Sequence, residues 1–319
     1  MKRVPLFVWP AAILVVELAL QLSPYTGVFL MMFGAPAWST VLMNSTLVGL
    51  AIDAWRLTVP RWLAVVPAAL YTAYFGAFAF SYVEYVILDS RIEQANAAAK
   101  IAYNPATQDI LVDYGPEPPK HVPSIAKGLI SHFNLQTAYE LDPRRVPMSS
   151  RRRLVRKSQC DALKARPGEI SGFHVDSVFI RNACIASTDE SPSKPTVTLR
   201  PERDVEVESV FMQAVVNPIE VTDSTGASVR VSAGKAKVLN LLPSPIVGCT
   251  LISSKPAWTC FAYFERTWRS VVGNSSPHRD GRAEVVASLL GLSSRKIVNA
   301  RSRRGMGSGE IEPSELPAS

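Results

Sequence analysis

Residues 1–88 form an apolar block with almost no charge, and nothing else in the chain restricts its fold so strongly. The only basic residues there are Lys2, Arg3, Arg56 and Arg61, and the only acidic ones are Glu17, Asp53 and Glu84. The whole chain of 319 residues carries 34 Lys+Arg against 27 Asp+Glu, a net charge of +7, so nearly all of its charge lies after residue 88. This excludes a wholly soluble globule, a disordered chain and a collagen-like repeat. Three apolar stretches, about 4–22, 28–52 and 62–88, approach the roughly 20 residues that a helix needs to cross a bilayer. The second carries no charge, and none shows the polar stripe that a soluble bundle requires. Three transmembrane helices are therefore expected. Glu17 interrupts the first run and no small-x-small cleavage site follows Leu22, which favours an uncleaved first helix over a signal peptide.

Basic residues near the helix ends set the orientation. Lys2 and Arg3 precede the first helix and Arg56 and Arg61 lie between the second and third, on one side of any three-span arrangement. The positive-inside rule then puts the N-terminus in the cytoplasm and everything after Leu88 outside it. Trp55 and Trp62 bracket the basic loop as an interfacial belt would.

Within the third span Ala69, Ala73, Ala77 and Ser81 recur every four residues, a small-residue face suited to close packing of a helix in this chain or in a second copy. Ser45 and Gly49 give a shorter version in the second span. Asn44, at mid-depth, reads as an interhelical hydrogen bond. Glu17 and Glu84 fall at equal depth near the outer interface. They read as carboxylates that reach headgroup water or a basic group, with proton or cation handling as the alternative.

After Leu88 the helix is expected to run on to Pro105, and residues 89–123 to end in a stiff linker marked by Pro116, Pro118, Pro119 and Pro123. Residues 124–304 read as an extracytoplasmic α+β domain, mostly antiparallel β. Ser124 caps a helix with Ile125, Leu129, Ile130 and Phe133 on one side, a second helix covers 150–165, and a last one 282–292. Short β-branched strands are expected at 196–199, 204–210, 220–221, 228–231 and 237–241. The segment 305–319 has the composition of a disordered tail.

All four cysteines fall in this outer part, where an oxidising compartment would pair them. The turn 253–256 places Cys249 opposite Cys260 on adjacent strands, at the short separation that a disulfide needs. Cys160 and Cys184 pair by elimination.

No zinc spacing, nucleophile elbow, P-loop or His-Glu-x-x-His helix is present, so no metal, cofactor or catalytic residue is expected. Charge is the feature left over. Arg151, Arg152, Arg153, Arg156 and Lys157, on the expected 150–165 helix, form a cationic face for an anionic partner, such as a protein or an acidic envelope component. A structural alternative is a counter-charge from the acids Asp204, Glu206 and Glu208. A second basic group follows at Arg295, Lys296, Arg301, Arg303 and Arg304. The absence of interleaved aromatics and the outer location argue against nucleic acid.

The chain thus reads as a non-enzymatic inner-membrane protein that displays a disulfide-bonded periplasmic binding or scaffold domain in an envelope assembly. The alternatives are a transport or signalling component acting through Glu17 and Glu84, and a periplasmic hydrolase whose site no local motif reveals.

Overall fold

The computed structural model describes residues 4–115, 124–141, 149–164, 174–176, 182–252, 257–272, 281–295, 297–298 and 310–311. The apolar block is helical, but its breaks differ from the expected ones. Helices α1 (Val8–Leu22), α2 (Pro24–Met32) and α3 (Ala35–Trp55) are followed by a 3₁₀ turn, Arg61–Ala64, that leads into α4 (Val65–Ala98). The expected second span is split by Gly34, whose φ of 76° precedes α3 and suits a residue without a Cβ.

Among the described residues one helix, Arg61–Ala98, is long and apolar enough to cross a membrane; three such spans are not shown. Helix α1 has 15 residues, which at 1.5 Å each is about 22 Å, short of the roughly 30 Å bilayer core. Helix α3 is long enough, but Ser39, Thr40, Asn44, Ser45, Thr46 and Asp53 dilute its apolar character.

The later region is β-rich. Its elements are β1 (Asp109–Asp113), α5 (Ile125–His132), β2 (Thr137–Leu141), β3 (Ser149–Arg156), α6 (Lys157–Lys164), β4 (His174–Asp176), β5 (Ala183–Asp189), β6 (Thr196–Pro201) and β7 (Val205–Glu208). They continue with β8 (Gln213–Thr222), β9 (Ser228–Leu239), β10 (Pro245–Ile252), β11 (Ala257–Phe264), β12 (Arg266–Val271) and α7 (Gly281–Leu289). A mixed, mostly antiparallel sheet runs in the order β12-β9-β8-β6-β1-β2-β3-β5-β4, with β7 added on β8. Its centre is parallel, because β1 pairs in that sense with both β2 and β6. Strands β10 and β11 form a separate antiparallel hairpin.

The expected strands at 228–231 and 237–241 are one strand, β9, that runs through Gly234. A Cβ at Gly234 would lie 2.7 Å from the Val215 carbonyl oxygen, so the glycine serves close approach between strands rather than a turn. The tail also differs from expectation in one place, where Glu310–Ile311 pairs antiparallel with Ile297–Val298. The proline linker 116–123 lies outside the described residues.

The chain divides into two units. One comprises residues 1–86, 208–213 and 237–269, so the β10–β11 hairpin is grouped with α1–α3 and most of α4. Its buried residues include Gln21 at 1% exposure, Ser39 at 0%, Asp53 at 2% and Ser81 at 0%, while Trp9 at 68%, Val15 at 66% and Phe80 at 63% point outward. Asp53 accepts a hydrogen bond from the Phe7 N–H at the start of α1 (3.1 Å), where the helix dipole favours a carboxylate.

The other unit comprises residues 87–207, 214–236 and 270–319 and has an ordinary apolar core. Ile110, Val112, Leu154, Ile185, Val197, Leu199, Ile219 and Val221 from the sheet meet Ile125, Leu129 and Ile130 of α5 and Val286 of α7. A Cβ on Gly128 would come within 2.7 Å of the Ala283 Cβ, so only glycine lets α5 and α7 approach this closely.

Candidate functional site

Among the described residues of the β-rich unit, a buried polar cluster lies where β1, the start of α5, β2, β3 and β5 meet. Glu140 on β2 is 6% exposed. Its carboxylate accepts hydrogen bonds from the Arg152 Nε–H, from the Ser124 hydroxyl and from the Tyr114 hydroxyl (3.3 Å). Arg152 also reaches the Ser187 hydroxyl at 3.4 Å. Ser124 is the N-cap of α5 and accepts from the Lys127 N–H at 3.1 Å, and the Tyr114 oxygen accepts from the Ile125 N–H at 3.2 Å. Burial, and then the Glu140 charge, push the Tyr114 phenol well above its usual range, so it stays a neutral donor. Sequence reasoning did not single out Glu140; a lone acid directly after Ala138-Tyr139 is a weak signal, and it does not name Arg152 as the partner.

This arrangement corrects the expected basic helix. Arg151, Arg152 and Arg153 lie on β3, paired on one side with β2 and on the other with β5. A strand with two neighbours has its backbone bonds committed to the ladder, and alternation sends successive side chains to opposite faces. The five cations therefore do not share one face. Arg152 neutralises Glu140, and Arg151 bonds Glu190 at 2.8 Å. Arg156 and Lys157 are exposed at the junction of β3 and α6. The intramolecular counter-charges are thus Glu140 and Glu190, while Asp204 pairs instead with Arg282 at 3.0 Å. Of the second basic group, Arg295 is buried and donates to the Leu135 carbonyl at 3.1 Å. Lys296, Arg301, Arg303 and Arg304 lie outside the described residues.

Cys160 pairs with Cys184, with Cα atoms 6.6 Å apart, and Cys249 with Cys260, 4.0 Å apart. Cys249 and Cys260 are direct cross-strand neighbours in the β10–β11 ladder, with Leu251 opposite Trp258 and Ile252 opposite Ala257.

In the helical unit the polar residues each have a local role. Asn44 on α3 donates to the carbonyls of Thr40 (2.7 Å) and Pro243 (3.2 Å) and accepts from the Tyr71 hydroxyl of α4 (2.8 Å). Tyr74 donates to the carbonyls of Asn240 (2.7 Å) and Leu242 (3.1 Å). Ser81 accepts from the Leu239 N–H at 3.2 Å. Ala73 and Ala77 line an apolar cavity of about 260 Å³ with Met43, Leu47 and Phe264; Ala77 is half-buried, while Ala69 and Ala73 are exposed. The small-residue face of α4 is thus covered only toward Ser81, by the connection between β9 and β10, and stays open at Ala69 and Ala73. Glu84 accepts from the Ser209 hydroxyl at 2.5 Å. Glu17 accepts from Gln21 at 3.2 Å, and Gln21 donates to Ser39 at 2.8 Å.

A larger cavity of about 670 Å³ lies in the β-rich unit, with Glu93, Lys100, Val272, Glu284 and Ser288 in its walls. Val272 has a φ of 64°, costly for a β-branched residue, and its N–H donates to Asp89 at 2.6 Å. Among the described residues Ser288 is the only hydroxyl in the lining, and none of them there is a histidine or a cysteine. Among the described residues no group of three or more His, Cys, Asp or Glu could hold a metal ion. Comparison with family models, with curated proteins and with solved structures gives no match for this chain.

Proposed function

We propose that this chain is an integral inner-membrane protein whose helical unit is an anchor and whose β-rich, disulfide-bonded region binds or scaffolds a partner in the cell envelope. The observation that carries this reading is the inverted distribution of side chains in the helical unit. Gln21, Ser39, Asp53 and Ser81 are buried while Trp9, Val15, Trp38, Phe80 and Val83 point outward. A water-soluble unit would hide those large apolar side chains, whereas a lipid surface accepts them. In this reading α1, α3 and α4 all contribute to the membrane domain, with α1 short enough to need thinning or an interfacial end.

The two disulfides support an oxidising compartment for the later region, and Lys2, Arg3, Arg56 and Arg61 support a cytoplasmic N-terminus. Arg156 and Lys157 remain as exposed cations for an anionic partner. A periplasm-dependent reporter fused after Ser319 should be active, and a cytoplasm-only reporter should be silent. Release of the chain from membranes by alkaline carbonate would overturn the anchor itself.

A second reading, transport or signalling through Glu17 and Glu84, has one observation in its favour. Among the described residues Glu17 Oε2 is buried with no hydrogen-bond partner of its own, while the carboxyl is held through Gln21. Replacing both carboxylates with Gln should leave a scaffold working and disable a proton-coupled machine.

A further inference from the structure

One face of the central sheet in the β-rich unit carries hydrogen-bond donors that find no acceptor among the described residues. Strand β3 alternates, so Arg152 and Leu154 turn to the face covered by α5 and α7, where Leu154 joins Ala138 and Ile185 in the core. Arg151 and Arg153 turn to the other face. Across the ladder Arg153 stands opposite Thr137 of β2 and Ala186 of β5, and Arg151 stands opposite Tyr139 and Thr188. Directly opposed residues lie about 5 Å apart and second neighbours along a strand about 7 Å. The two arginine stems, the Tyr139 ring and the Thr137 hydroxyl therefore share one patch.

Arg153 makes no hydrogen bond or ion pair among the described residues, and its Nε is buried without a partner. Arg151 gives one nitrogen to Glu190, while its own Nε is likewise buried and unpartnered. Tyr139 is 4% exposed, yet its hydroxyl has no hydrogen bond among the described residues, and neither has that of Thr137. Burial, and then Asp109, raise the Tyr139 phenol while Arg151 opposes them, so the hydroxyl lies near Arg151 and stays a neutral donor. The neighbouring acids are engaged elsewhere. Glu190 accepts from Arg151 and Thr188, and Asp109 accepts from the N–H groups of Ser193 and Lys194 at 3.3 Å. The charge of Arg153 is left over, among donors that are costly to bury without an acceptor.

Resting on the reading of the β-rich region as one that binds a partner, we propose that Arg153, with Arg151, Tyr139 and Thr137, is the docking point for a carboxylate side chain of a protein partner. A planar carboxylate matches the guanidinium fork of Arg153 with two parallel hydrogen bonds, and the Tyr139 and Thr137 hydroxyls donate to its remaining lone pairs. A phosphate dianion fits less well, because Glu190 and Asp109 border the patch and repel a second negative charge. Helix α6 covers the Val155 end of this face, where Cys160 packs with Cys184 and Ala186. In the other direction Leu111, Thr196 and Thr198 continue it as a half-buried surface of mixed polarity, the kind that a folded partner covers.

The test is fluorescence anisotropy with the full-length protein in detergent micelles and a rhodamine-labelled, end-blocked peptide Gly-Glu-Gly-Glu-Gly. The peptide should bind saturably, acetate should compete with it, and its counterpart with Gln in place of Glu should not bind. Arg153→Gln should weaken binding by about tenfold or more, the scale of hydrogen bonds to a charged group. Arg153→Lys keeps the charge without the fork and should lose part of that. If Arg153→Gln folds poorly, Tyr139→Phe removes one donor, leaves the ring in place and should still weaken binding. The pair Arg156→Gln with Lys157→Gln should leave it unchanged. Equal affinity in the parent, Arg153→Gln and Tyr139→Phe would overturn the site, as would absence of binding by the parent or tighter binding of a phosphoserine version of the peptide. Cross-linking in intact membranes keeps the two readings apart. An adduct that persists in Arg153→Gln defeats the carboxylate site alone, and no adduct in the parent chain defeats the partner reading and the site with it.

Discussion

The Tyr74 hydroxyl donates to the Asn240 carbonyl oxygen at 2.7 Å, joining the middle of α4 to a non-helical segment 166 residues later. Irregular backbone packed against apolar side chains is tolerated only where its polar groups are satisfied. Tyr74, Asn44 and Ser81 do this for the carbonyls of Asn240, Leu242 and Pro243 and for the N–H of Leu239. The three residues therefore act together, as side-chain substitutes for a missing ladder.

Tyr74→Phe keeps the ring contact with Phe264, whose centroid is 5.1 Å away, but removes the donor. Two carbonyls would then lose a partner in an apolar setting, at a cost of about 1–3 kcal/mol. Thermal unfolding in detergent micelles should show the loss, and an unchanged melting temperature would mean that water reaches those carbonyls.

A second prediction concerns Glu140. Glu140→Gln leaves the Arg152 guanidinium short of its counter-charge in a buried setting and should destabilise the β-rich unit by about 3–5 kcal/mol. The double change Glu140→Leu and Arg152→Met removes both charges and should recover much of that. Arg156→Ser, at an exposed site, should be nearly silent in denaturant titration.

How far the sequence revealed this arrangement depends on the residue. The Cys249–Cys260 register was legible because a hairpin with a short turn fixes cross-strand neighbours by counting. Ser124 was legible because an N-cap is a local decision. The β3 strand was not, because Arg151–Arg156 has no clean alternation, and only pairing with β2 and β5, remote in sequence, makes it extended. Partners such as Glu140 for Arg152 and Asn240 for Tyr74 were invisible for the same reason. No local pattern states which distant element will arrive. The helix lengths failed on a smaller point, since Gly34 was read as part of an apolar run and not as a left-handed break.

The Arg151–Glu190 pair makes a pH prediction with a definite sign. The Arg151 hydrogen bond, then that of Thr188, hold the Glu190 carboxyl below its ordinary value of 4.5. A carboxylate with a depressed folded pKa contributes stability that is present above the unfolded value and lost as pH falls through the folded one. Stability should therefore decline as pH drops below about 4.5. Arg151→Gln should flatten that part of the acid-unfolding profile, by a modest amount because the pair is exposed to solvent screening.

The two disulfides should differ in what their loss costs. Cys160–Cys184 closes a separation of 24 residues and Cys249–Cys260 one of 11. In the loop-entropy account each is worth about 3 kcal/mol, and the longer loop is favoured by about 0.7 kcal/mol. Paired Cys→Ser variants compared by unfolding should rank in that order, after non-reducing peptide mapping has confirmed both links in the parent. Recovery of Cys249 joined to Cys160 or Cys184 would contradict the hairpin register.

The connection between β9 and β10 yields the sharpest test of whether the helical unit sits in lipid. Leu241 and Leu242 are exposed at 63% and 56%, yet the backbone beside them bonds Tyr74 and Asn44 on apolar helices. In water two such leucines would be unremarkable surface residues, and Lys at either position would cost almost nothing. In hydrocarbon each lysine would cost roughly 3 kcal/mol at full depth, less if its amine snorkels to the interface. Leu241→Lys with Leu242→Lys should therefore sharply lower the yield of folded protein in membranes, while Leu241→Phe with Leu242→Phe should leave it intact. Equal yields for the two pairs would show that this connection faces water.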